Sequence, residues 1–113
     1  MKIITQTITL DEIKIMAEAM FGDLVKAVVD IDRELIAVDG ELHSDLEALL
    51  LQDGSKQKNL WGINLYPELQ KEDFLEFDSV INIRPSQGNQ SRNVDDQDIR
   101  RKIVEIVNKK VKR

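Results

Sequence analysis

Apolar residues recur along this chain at two different periods, and each switch between them marks the end of an element. Residues 2–8, KIITQTI, read as a short strand or extended arm. The TLDE stretch at Thr9–Glu12 is a capping box: the Thr9 hydroxyl accepts from the N–H three residues on, and Glu12 reaches back. Leu10, Ile13, Ala17, Met20 and Phe21 follow at helical spacing, and Gly22 stands where a left-handed residue closes a helix.

From Val25 the period drops to two. Val25, Ala27, Val29 and Ile31 share one side, while Lys26, Asp30 and Asp32 share the other, with Val28 as the exception. A turn at Asp32–Glu34 joins this run to Leu35–Val38, which predicts a hairpin, and Asp39-Gly40 is a second turn signal. Ser44–Glu47, SDLE, repeats the capping-box pattern ahead of Leu46, Leu49 and Leu50, and Gly54 closes that helix. A helix this short depends on packing, because propensity alone does not hold it.

In NLWGINLY, Trp61, Ile63 and Leu65 point one way, whereas Leu60, Gly62, Asn64 and Tyr66 point the other. Pro67 ends the run, since it cannot donate to a ladder. The longest alternating stretch comes next. Leu75, Phe77, Ser79, Ile81 and Ile83 share a face, opposite Phe74, Glu76, Asp78, Val80, Asn82 and Arg84. The two runs are expected to pair as an antiparallel hairpin. The last element is a helix whose stripe is Ile99, Ile103, Ile106, Val107 and Val111, with aspartates at its start and lysines at its end, as the helix dipole favours.

The pattern predicts an α+β fold: a two-layer sandwich of about four mainly antiparallel strands, with three helices packed on one face. All 113 residues fit a single α+β domain.

Composition narrows the chemistry. Aromatics are only 4% of the chain, so the core must be built from Ile, Leu and Val, and Trp61 is expected within it. Cysteine is absent, which removes disulfides, thiolate metal sites and cysteine catalysis. No apolar run approaches a membrane span and the N-terminal stretch lacks a signal-peptide pattern, so a cytoplasmic protein with no membrane partner is expected. Charge is uneven. Residues 99–113 hold Arg100, Arg101, Lys102, Lys109, Lys110, Lys112 and Arg113 against the single acid Glu105, while the whole chain is net −5. A basic helix on an acidic body either serves a polyanion or packs on that body. The surrounding negative charge disfavours nucleic acid as a partner.

Three strings, AVVDIDRELIAVDGELHSDLEALLLQDGS, LWGINLYP and INIRPSQGNQSR, resemble a family of small bacterial proteins catalogued only as a domain of unknown function. The similarity runs over roughly residues 9–110 and supports a single domain. It implies no activity, cofactor or catalytic residue.

His43 is the only histidine, and any imidazole chemistry must use it. Asp39, Glu41, Asp45 and Glu47 flank it at every second position. They do not follow the calcium-loop template, because the twelfth position from Asp39 is Leu50. The favoured reading is an acid-rich first helical turn with His43 as a flanking surface residue. A small enzyme using His43 and its acids is the alternative. No catalytic residue, cofactor or metal is assigned.

The candidate binding residues are Asn64, Tyr66, Asn82, Arg84, Gln87, Asn89 and Arg92, on the polar sheet face and the 82–92 loop. Two guanidiniums with backbone N–H groups around Gly88 suit an anionic small molecule or peptide. The function expected is therefore a non-enzymatic binding or regulatory module. A nucleic-acid accessory role through the final helix is the further alternative, and the open polar face leaves room for a homodimer.

Overall fold

The computed structural model describes residues 1–113. In chain order its elements are β1 (Lys2–Ile4), β2 (Ile8–Thr9), α1 (Leu10–Ala19), β3 (Val25–Asp30), β4 (Leu35–Val38) and α2 (His43–Gln52), then β5 (Leu60–Leu65), β6 (Leu75–Glu76), α3 (Gln97–Lys110) and β7 (Val111–Lys112). Short 3₁₀ turns at Gln57–Asn59, Lys71–Phe74, Val80–Asn82 and Pro85–Gln87 fill the connections. None of the helices is long and apolar enough to cross a membrane.

The period-two runs become the middle of a five-stranded antiparallel sheet in the order β1-β4-β3-β5-β6. The hairpin of β3 and β4 pairs Val28 with Ala37, and β5 lies on the other side of β3 with Gly62 opposite Val28. A separate parallel pair, β2 with β7, ties the start of α1 to the end of α3. The α+β class and the antiparallel sheet are therefore as the pattern predicts, with five strands in place of about four.

The helices do not all lie on one face. Ile13 and Ala17 of α1, with Ile103, Ile106 and Val107 of α3, pack on Val25, Ala27, Val29, Ile36, Val38, Ile63 and Leu65. Leu46 and Leu50 of α2 pack on the opposite face, against Val28, Ala37 and Leu60. Val28, which broke the alternation, faces α2 and is fully buried. Burying Leu46 and Leu50 contributes roughly 1.5–3 kcal/mol each, which holds a ten-residue helix that propensity alone would not.

The caps differ from one another. Thr9 Oγ1 accepts from Glu12 N at 3.1 Å, as a capping box requires. Asp96 caps α3 by accepting from Asp98 N and Ile99 N at 2.8 and 3.2 Å. Ser44 does not cap α2: the helix starts one residue earlier, at His43, behind Leu42, which has no capping side chain.

The predicted long strand over Phe74–Arg84 stops after Leu75–Glu76. Beyond it the chain crosses over Gly62 instead of running beside β5. A Cβ on Gly62 would stand 2.5 Å from Ser79 Cβ and 2.6 Å from Ser79 Oγ, so the crossing needs glycine there. Val80 and Ile83, expected on opposite faces of a strand, are 63% and 43% exposed.

Candidate functional site

The residues singled out by sequence are spread along β5 in separate groups, and not on an open sheet face. Asn82 is buried, and its side-chain amide closes on one residue: Gly62 N donates to Oδ1 at 2.8 Å, and Nδ2 donates to Gly62 O at 2.9 Å. The same Nδ2 reaches Arg92 O at 3.0 Å. Asn89, also buried, donates to Asn82 O at 2.7 Å and Asn93 O at 2.8 Å, and accepts from Asp95 N at 2.7 Å. Gly88 makes the turn before it with φ 79°.

Arg84 lies with its guanidinium 4.3 Å from the centre of the Trp61 ring. It donates to the carbonyls of Ile81 at 3.0 Å, Gln57 at 2.7 Å and Leu60, and to Gln87 Oε1 at 3.2 Å. Burial pulls its pKa below the usual arginine value, and the Glu47 carboxylate opposes that pull. Gln87 Nε2 donates to Lys58 O at 3.1 Å. Asn82 and Arg84 thus use their side chains to close the outer edge of β5, where β6 no longer runs.

The rest of the set anchors the segment around β6. Glu76 Oε1 accepts from Asn64 Nδ2 at 2.8 Å and from the Tyr66 hydroxyl at 3.0 Å. Desolvation, with the neighbouring Glu76 carboxylate adding to it, raises the Tyr66 hydroxyl to about 12. Arg92 Nε donates to Asp78 Oδ1 at 2.6 Å, which lowers the Asp78 pKa and raises that of Arg92.

His43 is not a surface residue. It is buried, and Nε2 lies 2.8 Å from Ile63 O, so Nε2 carries the proton that this carbonyl accepts. Burial holds the imidazole below its usual pKa. No carboxylate hydrogen-bonds to it, and Asp39, Glu41, Asp45 and Glu47 do not converge with it into a group that could hold a metal ion.

The basic helix is partly held by its own body. Glu34 receives Lys109 at 3.0 Å and Lys102 at 3.8 Å, which lowers the Glu34 pKa, and Lys110 donates to Thr5 O at 2.6 Å.

One flank of α3 faces a cleft that sequence reasoning missed, about 860 Å³ in volume, between the helix and residues 70–77. Its rim carries Lys71, Arg100, Arg101 and Arg113, against the single carboxylate of Glu72. Phe74, Leu75, Phe77 and Val104 supply apolar lining. The Arg100 guanidinium stacks 4.5 Å from the centre of Phe77, and that of Arg113 stacks 4.7 Å from Phe74. Arg101 is paired with Asp98 at 3.0 Å, whereas Lys71, Arg100 and Arg113 form no ion pair at all. The signal that could have found the cleft was the spacing of Phe74 and Phe77 beside unpaired basic positions on α3. Assigning both phenylalanines to one long strand hid it.

A model of the family described as Protein of unknown function (DUF5674) matches residues 2–110. Searches among curated proteins and among solved structures find no match.

Proposed function

The chain belongs to the DUF5674 family, and we propose that it is a single-domain, non-enzymatic module that binds an anionic small molecule or peptide in the cytoplasm. The observation that carries this reading is the set of three cations without ion-pair partners around the α3 cleft, in a chain with 21 acids and 16 Lys or Arg. Acids are abundant enough to neutralise Lys71, Arg100 and Arg113, yet none does. A carboxylate or phosphate entering the cleft would meet guanidinium edges beside aromatic faces, and its apolar part would cover Leu75, Phe77 and Val104.

None of the seven sequence-predicted residues lines the cleft; they hold the segments on either side of it. Asn64, Tyr66 and Arg92 fix Glu76 and Asp78 beside Phe77. Asn82, Arg84, Gln87 and Asn89 fold the connection that delivers Asp95 and the start of α3 to the other wall.

Calorimetric titration with inorganic phosphate, mono- and dicarboxylates and short acidic peptides tests the reading. Binding is expected to weaken with added salt. Arg100→Ala or Arg113→Ala should cost about tenfold in affinity, as loss of a charge-assisted pair does. Failure of every anion to bind at low ionic strength would overturn the proposal.

A further inference from the structure

Two arginines of the α3 cleft stand over separate aromatic rings, and each offers a station to an anion. Arg100 is stacked on Phe77 and Arg113 on Phe74. A guanidinium held flat on a ring keeps its N–H groups pointing outward in its own plane, where a carboxylate or phosphate accepts two of them at once. Arg113 makes no hydrogen bond within the protein, and Arg100 uses only one N–H, on Asn93 Oδ1 at 3.3 Å.

Phe74 ends a 3₁₀ turn and the strand residues Leu75–Glu76 separate it from Phe77, so the two guanidiniums lie over different rings of the same cleft. Leu75 and Val104 add apolar surface to the same cleft. A single phosphate would occupy one station and leave the second guanidinium and the apolar lining unused. A strongly hydrated polyanion would wet that lining.

We infer that the ligand of this cleft is a linear dianion: two carboxylates or phosphates joined by an apolar span, one end at Arg100 and the other at Arg113. This rests on the anion-binding reading above and narrows it to one ligand class.

The probes are straight-chain α,ω-dicarboxylates of increasing length, each beside the monocarboxylate of equal length, titrated calorimetrically into the full chain. Affinity should peak at one intermediate chain length, and there exceed the equal-length monoacid by about tenfold. Arg100→Ala and Arg113→Ala should each reduce that diacid to the level of the monoacid. Both side chains sit at the cleft rim, and a thermal melt confirms that the variants fold. A monoacid as tight as its diacid, or affinity that climbs with chain length without a maximum, overturns the dianion assignment and leaves simple anion binding standing. No binding by any acid or by phosphate overturns both.

Discussion

The amide of Asn82 is bonded to the backbone of Gly62 in both directions, 2.8 Å to its N–H and 2.9 Å to its carbonyl. One side chain there replaces the strand that the sequence pattern promised. Asn82→Ala would leave a buried donor and a buried acceptor without partners. It should cost about 2–6 kcal/mol, at 1–3 kcal/mol for each stranded group. Asn82→Asp keeps the acceptor only, so urea denaturation should still show a loss. A loss below about 1 kcal/mol for Asn82→Ala would mean that water takes over both bonds.

Gly62→Ala should destabilise the fold by about 1–3 kcal/mol, because the added methyl meets Ser79 Cβ at 2.5 Å. Ser79→Ala should not relieve this clash, since it keeps the offending Cβ. Ser79→Gly should, so the double variant Gly62→Ala with Ser79→Gly should be more stable than the sum of the single losses. Additive losses in that cycle would contradict the close crossing.

Arg84→Lys keeps a positive charge but cannot stack flat on Trp61 while reaching three carbonyls. A loss of about 1.5–3 kcal/mol is expected, in line with hydrogen bonds made by a charged group. Trp61 is the only tryptophan, so its fluorescence reports the change directly. An unchanged emission maximum and melting point in Arg84→Lys would show that the stack does not matter.

His43 makes stability fall on mild acidification. Its folded-state pKa lies below the ordinary 6.5, so the unfolded chain binds the proton more readily than the folded one. The contribution is present above the unfolded value and is lost as pH drops through the folded one, at up to about 1.4 kcal/mol per pH unit. Asp78 and Glu34, whose pKa values are also lowered, act only in the more acidic carboxylate range. As the sole histidine, His43 gives one imidazole resonance to follow by NMR, and a midpoint at or above 6.5 would refute the buried assignment. His43→Gln should flatten the slope of stability between pH 5 and 7.

The strands and helices that bury a continuous stripe were legible because burial imposes its period on the residues. Val28 also carried a message: an apolar residue on the polar side of β3 meant that the second face was covered, by α2 as it turned out. Residues 74–84 misled for the opposite reason. Their alternation is real, but Asn82 and Ser79 satisfy backbone groups from side chains, and no period reports that. The cleft was hidden because its two walls come from segments separated in sequence, brought together by the packing of α3 on the sheet and the parallel pairing of β2 with β7.

Closing β5 with side chains also governs how this region fails. A paired strand can fray residue by residue, but Asn82 either holds Gly62 or releases both its groups together. Release would bare the outer edge of β5, open to a second chain at high concentration. The loop from Ser79 to Arg92 covers that edge through Asn82 and Arg84. Variants that loosen it should form swapped dimers before they unfold.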